Sequence, residues 1–362
     1  MPQRPTRKKQ PPPPQSSKPI APKPSLPGLT GVVGIDVSKG KFDACFLLDA
    51  TSRPQHGTFT SNARGHAKFL LWLDRVAGTH SVHLCLEETG CYGQALGKLL
   101  HDAGHHVSLV NPTLIKRYAE SLNVRTKNDR ADAQIIAQYT LERTPARWTP
   151  LPPQHQTLRD LHRRREQLQT MLLQERNHLE ASLSEPLTKA IMQMIDHLKG
   201  SITEIETQLS EVIASDATLQ QNVKLLVSIP GIGERTAQSL LAEMPPLDSF
   251  ESARALCAYA GLTPREKKSG SSVNGRTRLC KQGRGTLRKM MFMPALSVIR
   301  SKAKNHLRSF VERLQADQKK KMCIVGAVMR KLVALAFGIL RSGQPFEANY
   351  ARTQASRAAL KN

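Results

Sequence analysis

The chain has 362 residues, 39% of them apolar, enough for two ordinary domains with sizeable cores. Its 53 Lys and Arg stand against 29 Asp and Glu, a formal net charge of +24, which repels itself in a compact fold unless a polyanion or an anionic surface neutralises it. The longest apolar stretch, residues 322–340, carries Arg330 and Lys331 at its centre. Each would cost ~2.5–3.5 kcal/mol inside a bilayer, so a membrane partner is excluded and nucleic acid remains.

Residues 1–30 hold ten of the 23 prolines and six Lys or Arg, with no acidic residue. Such a segment buries too little apolar surface to offset its ordering entropy and is expected to be a disordered basic tail. No apolar segment precedes the first predicted strand, so no secretory signal is expected. Cys45, Cys85, Cys91, Cys257, Cys280 and Cys323 show neither CxxC pairing nor zinc spacing, as expected of reduced thiols in a cytoplasmic protein.

From Val32 the texture changes. Residues 32–36 and 42–48 are apolar runs of strand type separated by a polar turn around Lys39 and Gly40, and residues 56–60 make a third short strand. A helix is predicted over 63–76 and a strand over 82–86 that runs into Glu87-Glu88-Thr89-Gly90. A helix to about Ala103, a strand over 107–110 and helices through Arg143 follow. Antiparallel strands first, then strands alternating with helices, predict an α/β sheet of ribonuclease-H-like layout over residues 31–150. Actin-like ATPase domains share that layout, so it leaves the chemistry open.

Residues 151–218 read as a helical connector. Leu158, Leu161, Leu168, Leu172, Leu179 and Leu183 form one stripe, which Pro186 is expected to end. Ile191, Ile195, Leu198, Ile202, Ile205, Leu209 and Val212 follow at alternating steps of four and three, a coiled-coil seam. Pairing within one chain or between two chains would satisfy it equally. Residues 219–346 read as an all-α domain with one Gly/Ser-rich loop at 269–275, and residues 347–362 as a tail. Ile229-Pro230-Gly231-Ile232-Gly233, ahead of a helix at 236–243, has the form of a helix-hairpin-helix. In that motif Gly231 and Gly233 would turn backbone N–H groups toward a DNA phosphate; such hairpins also serve as purely structural turns.

Four carboxylates stand out by position. Asp36 ends the first strand, Glu87 ends a later one, and Asp129 and Asp132 lie three apart at a helix start, hence on one face. In a ribonuclease-H-like sheet these places converge at one edge, where the carboxylates could hold two Mg2+ ions for phosphodiester chemistry. Singly, each has a plainer role: Asp36 in a turn, Glu87 with Glu88 at a solvated strand end, Asn128 or Asp129 as a helix cap, Asp132 favoured by the helix dipole. Their joint occurrence in a +24 chain favours the metal site.

From Arg265 to Arg308 there are 13 Lys or Arg and one acidic residue, Glu266, so half the net charge falls in 44 residues. Arg276, Arg278, Lys281, Arg284 and Arg288 are candidates to clamp phosphates around Ser269, Ser271 and Ser272. A serine hydroxyl is a weak nucleophile that needs activation and charge stabilisation nearby. These features leave open which serine acts, and equally whether the loop is a linker.

Taken in order, Gly34-Ile35-Asp36-Val37-Ser38-Lys39, Glu87-Glu88-Thr89-Gly90, Asp129-Arg130-Ala131-Asp132-Ala133, Ile229-Pro230-Gly231-Ile232-Gly233, Ala260-Gly261-Leu262-Thr263-Pro264-Arg265 and Ser269-Gly270-Ser271-Ser272 resemble the DEDD transposases of the insertion-sequence 110 family. These are bridge-RNA-guided recombinases with pilin-gene invertases among their relatives, and the likeness runs from about Val32 to Phe346. The resemblance implies a RuvC-like domain with Asp36, Glu87, Asp129 and Asp132 as a Mg2+-binding tetrad. It singles out Ser269 as the nucleophile that would form a covalent link to DNA. It implies further a structured guide RNA that pairs with donor and target double-stranded DNA, and homodimers that assemble to tetramers. Residues 1–30 lie outside the family pattern, and Asn128 and Cys280 stand where Thr and Ser are expected. A RuvC-like endonuclease acting by hydrolysis is the alternative, with the same carboxylates and no serine. An actin-like ATPase is disfavoured, since no second phosphate loop follows Gly34-Ile35-Asp36.

Overall fold

The computed structural model describes residues 30–88, 90–123, 128–269, 273–301 and 306–347, with the backbone alone at 91, 266–269 and 273–277. The basic tail through residue 29, Thr89, Ser271, Ser272 and residues 348–362 lie outside the described residues. The chain divides after Pro150 into two compact units.

The first unit runs β1 (Gly31–Val37), β2 (Lys41–Leu47), β3 (Gln55–Thr60), α1 (Ala63–Ala77), β4 (Val82–Glu87), α2 (Gly90–Asp102), β5 (His106–Val110), α3 (Pro112–Ser121) and α4 (Asp129–Arg143). Its sheet has the order β3-β2-β1-β4-β5. The first three strands form an antiparallel meander, and β4 and β5 run parallel beside β1. This mixed α/β sheet is consistent with a ribonuclease-H-like domain, and its strands start and stop within a residue or two of the apolar runs that predict them.

The two faces follow from side-chain alternation along each strand. Val33, Ile35 and Val37, with Phe42, Ala44 and Phe46, pack against Phe69, Trp72 and Leu73 of α1 and Leu96 and Leu100 of α2. The opposite face presents Val32, Cys45 and Leu47 to Ala133 and Ala137 of α4. Gly34 belongs to this second face. A Cβ at that position would lie 2.2 Å from both the Ala133 carbonyl oxygen and the Ala137 amide nitrogen. Helix α4 therefore rests on the bare backbone of β1, and the missing side chain is what lets it come so close.

The second unit is helical apart from one hairpin. It comprises α5 (Pro153–Glu180), α6 (Glu185–Ala214), α7 (Ala217–Val227), α8 (Glu234–Glu243), α9 (Ala253–Tyr259), β6 (Pro264–Ser269), β7 (Val273–Leu279), α10 (Gly285–Met290), α11 (Phe292–Arg300), α12 (Arg308–Ala316) and α13 (Lys321–Ser342). Helix α13 is long and apolar enough to cross a membrane by length and composition. Ile324, Val328, Leu332, Phe337 and Ile339 on it are nevertheless buried in the core of this unit, together with Leu226, Leu240 and Leu256.

Two expectations change here, and the seam gains a neighbour in its own chain. Pro186 does not end the leucine stripe: α5 stops at Glu180, Leu183 is fully exposed, and Pro186 lies in the first turn of α6, where its missing N–H costs nothing. Of the heptad-like seam, Ile191, Ile195, Leu198 and Leu209 are buried on a helix that packs along α5, Leu209 shares a core with Leu158, and Ile202, Ile205 and Val212 stay half-buried. The serine loop is the end of an antiparallel β-hairpin rather than a break between helices, with Ser269 paired to Val273 at its last described rung.

Candidate active site

Strand register brings two of the predicted carboxylates, Asp36 and Glu87, to the α4 face. Asp36 is two residues beyond Gly34 and so shares its face. Asp43 lies directly across from it on β2. On the other side Leu86 pairs with Ile35, which sets Glu87 beside Asp36. Helix α4 begins at the same edge. Its cap is Asn128, whose side chain accepts a hydrogen bond from the Ala131 amide at 2.8 Å, so the cap role proposed as an alternative for Asp129 falls to its neighbour. Asp129 and Asp132 then stand in the first helical turn.

The electrostatics record this convergence. The Asp36 carboxyl is pushed up to about 6 by burial first, then by the charges of Asp132, Glu87, Asp129 and Asp43. Three members of the predicted tetrad thus act on the fourth, Asp36. Sequence reasoning missed two further residues. Asp43 is buried and accepts a hydrogen bond from Thr58 Oγ1 at 2.5 Å. Lys41 Nζ bridges Asp129 at 2.8 Å and Asp43 at 3.3 Å. Its hydrogen bonds to Asp129 and Asp43 raise the Lys41 ammonium, and the same contact lowers Asp129. Neither carries a mark of its own in the sequence; the register of the β1–β2 hairpin is what sets Asp43 across from Asp36.

Among the described residues no three His, Cys, Asp or Glu side chains are drawn closely enough to enclose an ion. Asp129 leans out onto Lys41 with half its side chain exposed. The donor set nevertheless suits a hard divalent cation: every candidate ligand is a carboxylate oxygen, and Asp36 is raised by burial first and then by the charges of its carboxylate neighbours.

The second unit holds the remaining candidates. Ser269 ends β6, and its backbone alone is described. Arg278 and Lys281 are exposed, and the Arg276 side chain lies outside the described residues. Arg284 and Arg288 turn inward. Arg284 pairs with the buried Glu243 at 3.3 Å, and Arg288 Nη1 donates to the carbonyls of Ala260 and Lys281 at 3.2 and 3.4 Å. The predicted phosphate clamp is thereby split into an outward and an inward set. Gly231 and Gly233 form the exposed turn between α7 and α8, with Ile229 and Ile232 buried beneath it. Gly231 has φ +96°, and a Cβ there would meet Val298 at 2.4 Å. The turn needs that glycine for packing, whatever it binds.

Comparison with known proteins sets this arrangement in a family. Residues 33–186 match the DEDD transposase domain of the IS110 group, described simply as a transposase. Residues 223–312 match the "Transposase IS116/IS110/IS902 family". The chain is 36% identical over 316 residues to the pilin gene-inverting protein of Moraxella bovis, a match spanning 87% of this chain and 97% of that protein. It is 25% identical over 302 residues to the transposase for insertion sequence element IS1328 of Yersinia enterocolitica, covering 74% and 83% of the two chains. The chain belongs to the IS110 family of transposases and is an enzyme that cleaves and joins DNA.

Proposed function

We propose that this recombinase divides its chemistry between a metal-binding carboxylate edge in the first unit and a serine nucleophile in the second. The observation that carries the reading is the Asp36 carboxyl, held at about 6 by burial and by the charges of Asp132, Glu87 and Asp129. Such a concentration of like charge is unfavourable in a merely structural site and is suited to a divalent cation. Asp36, Glu87, Asp129 and Asp132 would hold Mg2+, which would supply Lewis-acid polarisation of the phosphodiester. Lys41, paired with Asp129, keeps one carboxylate in place until the cation arrives.

The Ser269 Oγ attacks phosphorus in one strand. A Ser–O–P bond forms, the P–O bond to the leaving deoxyribose breaks, and the serine proton passes to the departing DNA oxygen. Joining is the reverse, with a DNA hydroxyl attacking the phosphoserine and Ser269 recovering its proton. The number of phosphodiester-type bonds is conserved, so no external energy source is required. Arg278, Lys281 and Arg276 supply positive charge along the hairpin for strand phosphates, and the Gly231–Gly233 turn offers backbone N–H groups to the duplex backbone without reading its sequence. Double-stranded donor and target DNA are selected by a structured guide RNA, and the active assembly is a dimer or tetramer.

The test is alanine at Asp36, Glu87, Asp129 or Asp132 in the full chain. Each variant should lose Mg2+-dependent strand cleavage, by at least about 100-fold, while binding to DNA and RNA persists, because the carboxylates attract phosphate only through the cation. Undiminished cleavage by the Asp129→Ala, Asp132→Ala double variant rules the carboxylate edge out of the chemistry.

A further inference from the structure

The hairpin that carries Ser269 is a separate two-stranded sheet in a helical unit, so something must fix where its far end points. Its base is held at four places. The ladder continues past the paired strands, with the Cys280 amide donating to the Thr263 carbonyl at 2.8 Å and the Lys281 amide to Gly261 at 3.1 Å. Leu279 packs on Gly326 of α13, where a Cβ would come within 2.9 Å of its Cδ1. Two glycines interlock beside it. Gly283 has φ +139°, and a Cβ there would lie 2.2 Å from the Tyr259 carbonyl oxygen; Gly261 has φ +68°, and a Cβ there would meet the Arg288 guanidinium at 2.5 Å. The Arg284 amide closes the clasp onto the Tyr259 carbonyl at 2.6 Å.

The fourth anchor is ionic and deep. Glu243, the last residue of α8, is 2% exposed. Its Oε1 accepts from Arg163 Nε of α5 at 3.0 Å, and its Oε2 accepts from Arg284 Nε and Nη2 at 3.4 and 3.3 Å. Arg159 donates to the carbonyl of Ala242, one residue earlier, at 2.9 Å. Burial pushes the Glu243 carboxyl up, but the hydrogen bond and charge of Arg163, with the charges of Arg284 and Arg159, outweigh it and hold the group ionised. A buried carboxylate between two guanidiniums from different segments is costly to assemble and gives little net stability over an apolar contact. Its best-attested use is to fix one geometry among several.

We infer that Glu243 is a positioning residue for recombination: through Arg284 it locks the base of the β6–β7 hairpin to α5 and α8 and so sets the aim of Ser269. This rests on Ser269 being the nucleophile. In-line attack tolerates little misplacement, and an error of about 1 Å costs on the order of 100-fold in rate.

The test compares wild type, Glu243→Gln and Arg284→Gln as full chains, on a supercoiled plasmid carrying the DNA that flanks the coding sequence, with the RNA that co-purifies. Covalent protein–DNA adduct formation should slow by roughly 10- to 100-fold in both variants, with DNA affinity within about twofold of wild type. Amide hydrogen exchange should rise at 280–284 while α13 stays protected. Arg284→Gln leaves the Arg163–Glu243 pair in place, so it reports even if Glu243→Gln does not fold. An adduct formed at the wild-type rate by Arg284→Gln, or a rate loss matched by an equal loss of affinity, overturns the positioning role. If wild type itself gives no adduct at Ser269, the nucleophile assignment fails and this inference falls with it.

Discussion

At the residue scale the central fact is a carboxyl group whose neighbours make ionisation costly. The folded state raises Asp36 to about 6 from an ordinary value near 3.8. A carboxylate raised in the native state binds its proton more tightly there than in the unfolded chain, so metal-free stability falls as pH rises from about 4 through about 6. Asp36→Asn removes that penalty. Asp36 is only partly buried, so solvent screening discounts the full shift: without metal at pH 7.5 the variant should be more stable than wild type by roughly 1–2 kcal/mol, and the difference should shrink toward zero at pH 4. Chemical denaturation in chelator at the two pH values measures it; a variant less stable than wild type at pH 7.5 contradicts the crowded-carboxylate description. The element ends that carry Asp36, Glu87, Asp129 and Asp132 were legible in the sequence, because strand and cap signals mark them. Asp43 and Lys41 were not, because mid-strand and first-strand positions acquire meaning only from hairpin register. Arg284 and Arg288 looked like their exposed neighbours, since a run of cations carries no mark of which members find buried partners.

The same site depends on one close approach between elements. With Gly34 bare, α4 lies on β1 and its first turn arrives beside Asp36. A methyl group there meets backbone atoms at 2.2 Å, which no side-chain rotation relieves. Gly34→Ala should therefore cost about 2–3 kcal/mol of stability and weaken Mn2+ binding at least tenfold, both read by thermal denaturation with and without Mn2+. Unchanged metal affinity would show that α4 does not position Asp129 and Asp132. In the first unit the elements were legible because β1, β2, β4 and β5 are apolar runs bounded by turn residues. The hairpin β6–β7 was not. Its strands, Pro-Arg-Glu-Lys-Lys-Ser and Val-Asn-Gly-Arg-Thr-Arg-Leu, have no alternating apolar face to read. The α6 seam was legible as a seam but not in its partner, because an i, i+3, i+4 pattern is the same whether its neighbour is in the chain or in another copy. Pro186 was misread because proline stops one helix and starts the next equally well.

For the whole molecule, charge and family membership point the same way. A +24 chain that belongs to a transposase family handles DNA, and the division of labour proposed above gives each unit a distinct task. In that proposal the carboxylate unit would polarise the phosphodiester and the hairpin unit would capture it. What separates this account from simple hydrolysis by the same carboxylates is the fate of the broken bond. A hydrolase passes the strand to water, whereas a recombinase keeps it as an ester. The decisive measurement is mass spectrometry of protein–DNA adducts recovered under denaturing conditions from wild type, Ser269→Ala, Ser271→Ala and Asp36→Ala. The account predicts a phosphoester on Ser269 in wild type and in Ser271→Ala, and none in the other two. No adduct in wild type, together with strand cleavage by Ser269→Ala at the wild-type rate, would contradict it and leave a carboxylate-driven endonuclease.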